Sequence, residues 1–485
     1  MKQNFLTILL LLSLLAYTGK TSAQSRTRAS TAFTYLPEKG EYQYNQRIAH
    51  KTIPVSQSEF IILSRQEVNS YAVEKYNAEL KKGWQTTIPL NQTETVEAFF
   101  KSADAAIVIT LRTNEATQQL FGHRINLQSG QKHEPVLLLE APLKGRRAGI
   151  AASADGSKLL AYRYHTDNNH QIKDISSILY DSNFQKVAET KYNLSDVPGI
   201  LTADIKLSNS GEQYVCLISE EMNRLTVRQY TPGIKTAKVM SVLVGGVYDG
   251  IKVYIMDSKF ELMPDNNTLY GAVMIAEEAT GKYYSLKTVK FDFEADDMVF
   301  AEEFRFTQAY VDKVTAFDKS SSATRLEDIY LSDILLSSEN NLTIIAEKKY
   351  TEGGENAPYF AKELHLFAYD EYMTTTWSSV LLKHQQAPAD EAFSGISYSA
   401  YVSGNNIHLL TLEELKGKHD LYLRQIDTKT GKTTAPKTVG LKMADDMNLA
   451  YVKDFTAWLT DKNIITVVRP SKKASGLQLS HIYLR

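Results

Sequence analysis

The residues of this chain best suited to chemistry are acidic pairs: Asp296-Asp297, Asp390-Glu391 and Asp445-Asp446, with Glu327-Asp328 near the first. Two of these pairs share the wording Ala-Asp-Asp-Met, at Ala295 to Met298 and Ala444 to Met447. Carboxylate oxygens presented by loops suit hard cations such as calcium, and several acidic loops on one side also attract a basic partner. The same acids would serve equally as solvated turn caps. The sequence therefore predicts weak binding of calcium or of a cationic partner at Asp296, Asp297, Asp390, Glu391, Asp445 and Asp446, provided the fold gathers them. No catalytic residue is nominated, and no other cofactor is implied.

The remaining candidates read more plainly. His165 and His170 flank Thr166-Asp167-Asn168-Asn169, but a third or fourth ligand is missing and the spacing matches no standard metal motif. His408 lies between Ile407 and Leu409 in a strand pattern and reads as structural. Gly19-Lys20-Thr21 lacks the earlier glycine of a phosphate-binding loop, which Leu14 replaces. No Gly-x-Ser-x-Gly elbow occurs. The 28 tyrosines could stack on sugars, but strands bury aromatics for ordinary packing.

Composition narrows the class. Lys2, an apolar run from Phe5 to Tyr17 and Thr21-Ser22-Ala23 form a secretory signal peptide over residues 1–23. The expected location is the periplasm or the extracellular space. No later stretch is apolar enough to span a membrane. Cys216 is the single cysteine, so no internal disulfide forms, which suits a bacterial envelope. It sits in Tyr214-Val215-Cys216-Leu217-Ile218 and reads as an inert core thiol. The formal charge is −2, and losing Lys2 and Lys20 takes it to −4, which argues against a nucleic-acid binder.

The elements that would position these residues follow one repeated unit. Gly149 to Thr190 reads as strand, Asp155-Gly156 turn, strand, polar loop, strand ending at Tyr180-Asp181, and a further strand. The first turn recurs at Ser58-Glu59, Asp104-Ala105, Ser210-Gly211, Asn266-Asn267, Asn340-Asn341, Asn405-Asn406 and Lys462-Asn463. The second recurs at Tyr76-Asn77, Ile125-Asn126, Phe291-Asp292, Tyr369-Asp370 and Ile426-Asp427, while the fourth unit departs with Tyr230-Thr231. Tyr76-Asn77 precedes Leu80 and Trp84 at the offsets at which Tyr369-Asp370 precedes Met373 and Trp377. A period of about fifty to sixty residues fits a four-stranded propeller blade. A single blade cannot bury both of its faces, so blades pack radially.

The expected fold is therefore all-β: a single β-propeller of eight blades, with seven as fallback. The last unit has three strands, so Ala32-Phe33-Thr34-Tyr35-Leu36 is expected to supply its fourth and close the ring. Phe306, Tyr310, Val314 and Phe317 recur at helical spacing and predict a helical insertion around residues 302–325. Read as loops entering units six, seven and eight, the acidic pairs fall on one face of the ring.

The units resemble blades of the β-propeller superfamily, above all in Ser153-x-Asp155-Gly156 ahead of an apolar strand. Asp333 through Glu347, with Trp377 and Lys383-His384-Gln385, resembles exported repeat proteins of Bacteroidetes-type bacteria. That resemblance implies a fold and no single activity. The expected role is an exported, non-catalytic binding scaffold for a protein or carbohydrate ligand. The alternative is a carbohydrate-active enzyme with its site at the propeller centre, marked by an inward carboxylate pair beside exposed aromatics.

Overall fold

A computed structural model describes residues 25–37, 48, 50–264, 267–317, 325–354, 357–389, 392–445, 449–471, 473–474 and 476–484. Residues 1–23, expected from the sequence to be a signal peptide, lie outside them. Each repeated unit becomes one antiparallel sheet, and eight sheets form. Blade 3 shows the plan, with strands Gly149–Ala152, Lys158–Thr166, Ile172–Asp181 and Lys186–Asn193 paired in sequence order. The first strands are innermost: those of neighbouring blades meet at the junctions 2–3, 3–4, 4–5, 5–6, 7–8 and 8–1. Two faces follow from the antiparallel order. First-to-second and third-to-fourth turns lie on one face (the turn face). Second-to-third turns and the links between blades lie on the other (the link face).

Local chemistry explains the turns. Ser102, Ser153, Ser208 and Ser337 end the first strands of blades 2, 3, 4 and 6 and are buried. Their hydroxyls accept backbone N–H bonds from Ala105, Lys158, Glu212 and Asn341 at 2.8–3.2 Å. A buried turn needs such a partner, because an unmet backbone donor costs about 1–3 kcal/mol.

Apolar packing joins the blades. Each of the eight interfaces has its own buried cluster, such as Tyr214, Cys216, Phe260 and Phe291 between blades 4 and 5. Two interfaces add a tryptophan latch. The Trp84 indole N–H donates to the Leu127 carbonyl of the next blade at 3.1 Å, and Trp377 donates to Thr428 at 2.9 Å. Each ring covers a turn glycine, Gly130 or Gly431, whose added Cβ would sit 2.7 or 2.6 Å from it.

The ring closes through the N-terminus, with one correction. The strand that completes blade 8 is Arg26–Ala32, paired with Gln478–Tyr483, and not Ala32 to Leu36. Phe33 and Tyr35 run beyond that strand and bury edge-on against Phe455, at 5.0 and 5.1 Å. An outermost strand leaves one edge and much of one face in water, which suits the small polar run at 26–32. The two aromatics need full burial and are better placed under blades 8 and 1.

A helix, Gln308–Phe317, sits on the connection between blades 5 and 6. Its Val311 and Val314 pack on Met274, Tyr283 and Ile329. The Tyr310 hydroxyl and His365 Nδ1, 2.8 Å apart, fasten it to the third strand of blade 6.

Two expectations follow. A chain begun after Lys39 loses the closing strand together with Phe33 and Tyr35, so its stability should fall by about 3 kcal/mol or more, with aggregation through the freed edge. An unchanged melting temperature would contradict this closure. The second test compares two glycines with the same φ of 69°: Gly431 under Trp377, and Gly417 with open space around its Cβ position. Alanine at either should cost about 1 kcal/mol for the left-handed backbone. Alanine at Gly431 should cost about 1–3 kcal/mol more through overpacking, read by urea unfolding. Equal losses would remove the latch from the account.

Candidate functional site

The topology separates the acidic pairs. Asp296 and Asp297 lie in the third-to-fourth turn of blade 5, between Tyr283–Asp292 and Asp297–Phe300, on the turn face and exposed. There Asp292 accepts the N–H groups of Glu294 and Ala295, at 3.1 and 2.9 Å, and Asp297 accepts that of Met298 at 2.8 Å. Asp445 is exposed in the link from blade 7 to blade 8, on the opposite face. The expectation of one shared face is thus corrected for Asp296 and Asp297, because their hairpin belongs to a blade and not to a link. Asp390, Glu391 and Asp446 lie outside the described residues. Among the described residues, no group of three or more His, Cys, Asp or Glu is placed to hold a metal.

The other candidates take structural positions. His165 Nε2 lies 3.3 Å from the Ser176 hydroxyl, while His170 sits at positive φ and its carbonyl accepts from Arg146. His408 is buried beside Trp458 and Tyr401. Cys216 is buried, and burial pushes its thiol well up, away from reactivity.

A cleft of about 1060 Å³ opens on the link face between blades 6 and 7 and reaches the link to blade 8. Its walls carry His384, Gln386 and Ala389 from one side and Glu414, His419 and Asp445 from the other. The floor is a buried polar network. Lys383 Nζ lies 2.8 Å from Glu347 Oε1, with neither side chain exposed. Lys383 also donates to Gln385 Oε1 at 2.8 Å, and Gln385 Nε2 donates to the carbonyls of Ser397 and Leu412, both at 2.9 Å. The Ser397 hydroxyl donates to Glu347 Oε2 at 2.5 Å. Beyond these, Arg424 grips Glu413 with both terminal nitrogens.

Burial alone would raise the Glu347 carboxyl. Lys383, Lys349 and Ser397 outweigh it and hold the carboxyl below the ordinary range. Lys383-His384-Gln385 stood out in the sequence, but its partners Glu347, Ser397 and Leu412 are 12 to 36 positions away from Gln385 or Lys383 in the chain and no local pattern joins them.

The ring axis forms a second polar region. Three residues back from the turn-face end of the eight first strands stand Lys51, Ala98, Gly149, Asp204, Lys259, Asp333, Ala400 and Ala457. Blades 1, 4, 5 and 6 contribute charge there, whereas blades 2, 3, 7 and 8 contribute small residues. Strand alternation puts Lys206 on the face of Asp204 and Glu261 on that of Lys259. Glu261 lies in electrostatic reach of Lys206, Lys259, Asp333 and Asp204, and enclosure by the ring raises its carboxyl. His50 keeps contact with solvent yet is walled in on most sides; that enclosure, then Lys453, lowers its imidazole.

The buried pair yields a test. Removing one partner strands a charge, so Lys383→Met should cost about 3–5 kcal/mol, and a Glu347→Leu, Lys383→Met double variant much less. The folded Glu347 carboxyl lies below its unfolded value. Its contribution is therefore complete above the unfolded pKa and is lost as pH falls through the folded one. Below about pH 4 the wild type should lose this contribution, and the double variant should lack it. Urea unfolding across this range measures both, and parallel pH profiles would contradict the ionised pair.

No protein-family model matches the chain, and no curated protein matches it. Among solved structures it is similar to the polysaccharide lyase Uly1, at 12% identity and a TM-score of 0.42, over 80% of this chain and 90% of that one. It is also similar to the Nup133 β-propeller domain of Vanderwaltozyma polyspora, at 9% identity and 0.42, over 87% and 100%. A third is the β-propeller domain of the Trilobed protease from Pyrococcus furiosus, at 11% and 0.37, over 84% and 98%. Likenesses this distant carry no argument about activity. The chain's own strand pairings define it as an eight-bladed β-propeller.

Proposed function

We propose that this protein is an exported, non-catalytic binding scaffold whose blade 6–7 cleft receives a segment of a partner protein. The carrying observation is the state of the cleft floor. Lys383, Glu347, Gln385, Glu413 and Arg424 are committed to one another. A floor of this kind is preorganised for recognition, whereas a nucleophile or general base needs a group free to exchange a proton.

A peptide is favoured over a sugar because no Phe, Tyr or Trp is among the described residues lining the cleft, and saccharide sites commonly use such faces for stacking. The enzymatic alternative would act at the ring centre with two carboxylates. Of the carboxylates named there, Asp204 is engaged by Lys206 at 3.2 Å and Asp333 accepts the Tyr398 hydroxyl at 2.5 Å; Glu261 alone is left, where such an enzyme needs a pair, which favours the binding role. Export rests on the N-terminal Lys2, the Phe5 to Tyr17 run and the lone cysteine. Among the described residues, no helix is long and apolar enough to cross a membrane.

Photo-crosslinking in the native envelope tests the reading. A photoreactive residue at the exposed positions 386 or 414 should give a discrete protein adduct, while one at Tyr372, 75% exposed on the turn face, should not. Equal adducts at all three positions, or none in the cleft, would overturn it.

A further inference from the structure

Eight consecutive residues, 382 to 389, line the blade 6–7 cleft along one side. From Leu381 to Ala387 the chain alternates strictly between buried and exposed, as an extended strand does with one face in solvent. Gln385–Ala387 pairs with the third strand of blade 6 at Tyr359–Ala361, and its outer edge pairs with no strand among the described residues. An open edge is a template for another chain, and proteins commonly guard one with charged side chains. The outermost strand of each of the other seven blades carries a charge, as at Lys82, Glu140 and Lys238. Those of blade 6, Thr375–Leu381 and Gln385–Ala387, carry none. Lys383, between them, turns inward and is fully buried against Glu347.

The edge is also held still. Gln385 accepts from Lys383 Nζ and from the Ser397 N–H, both at 2.8 Å, and donates to the Ser397 and Leu412 carbonyls, both at 2.9 Å. A strand fixed through its inward side chains and bare along its outer edge is preorganised for pairing. Across the cleft stand Glu414 and Asp445, both exposed. Along the whole lining acids outnumber bases, with Glu363, Glu413, Glu414 and Asp445 against Lys362 and Lys383. We propose that the partner segment enters as an added β-strand on the edge of Gln385–Ala387 and turns basic side chains toward Glu414 and Asp445. The inference rests on the cleft being the binding site proposed above. Backbone bonds along the edge supply affinity with little regard to sequence, and the acidic wall selects for Lys or Arg. An extended chain rises about 3.3 Å per residue, so residues 382 to 389 offer a partner strand roughly 25 Å of edge.

Fluorescence anisotropy with the intact protein tests this with labelled octapeptides. One alternates lysine and threonine, and its counterpart alternates glutamate and threonine. The lysine peptide should bind saturably and more tightly than the glutamate one. Glu414→Lys, at an exposed position, should weaken the lysine peptide by roughly tenfold, the loss of one charge-assisted contact. Successive N–H groups of a strand point to opposite edges, so two N-methylated copies report on the backbone. One is methylated at every lysine nitrogen and the other at every threonine nitrogen. One copy should lose binding and the other keep it, because only one edge of the peptide faces the protein. No saturable binding of the lysine peptide overturns the inference, as does an unchanged affinity in Glu414→Lys or an equal effect of the two methylations. Crosslinking at 386 and 414 separates this from the scaffold reading. Discrete adducts there, alongside any of those results, keep the partner and reject the basic strand, while loss of the adducts removes the scaffold reading itself.

Discussion

A four-stranded sheet whose middle strands are apolar on both faces cannot be stable alone, and everything else in this protein depends on that. Strands such as Gln213–Ser219, buried at every position, must be covered from both sides. Covering one sheet with a copy of itself leaves an open face at each end of the stack, and only a closed ring removes both. The eight apolar clusters, one per interface, are the result. Burying a large aliphatic side chain contributes about 1.5–3 kcal/mol, so each seam supplies a substantial share of stability. Closure between Arg26–Ala32 and Gln478–Tyr483 is then a necessity, because the ring loses its logic if a single seam stays open.

The seams are not equivalent. The cluster between blades 4 and 5 contains Tyr214, Phe260, Phe291 and Phe293, whereas that between blades 6 and 7 is built mainly from Ile, Leu and Tyr398. At its link-face end the 6–7 seam replaces apolar packing with Glu347, Lys383 and Gln385. A buried ion pair is a poor way to gain stability, since desolvation offsets much of the attraction. It lies beneath the blade 6–7 cleft, where a binding role is proposed. Here the packing rule gives way, and the chain holds side chains in fixed positions beneath a cleft.

The axis shows a second departure. Inner strands could meet through small apolar residues all round, as Ala98, Gly149, Ala400 and Ala457 do. Blades 1, 4, 5 and 6 instead place Lys51, Asp204, Lys259 and Asp333 at that position. Asp204 is paired with Lys206, and Asp333 accepts the Tyr398 hydroxyl.

The fold was legible because its signals are local. Turn chemistry at Asp155-Gly156 or Ser210-Gly211, a period of one blade, and a final unit lacking a strand each depend on residues close together in the chain. Local signals also account for the reading of Cys216 and His408 as core. What failed was placement at the margins. Phe33 and Tyr35 carry the aromatic pattern of a strand, but their burial depends on Phe455, more than four hundred positions away. Asp296 and Asp297 were read as part of a link because the short strand Asp297–Phe300 has too little pattern to announce itself. The cleft and the axis were beyond the sequence altogether. Glu347 meets Lys383 only because the chain leaving the fourth strand of blade 6 turns back and pairs, at Gln385–Ala387, with the third strand, and nothing in spacing or composition records that return. The sequence by itself determined the repeat and the ring. Tertiary structure alone decided which charges meet, because those contacts are set by how strands, links and blades pack on one another.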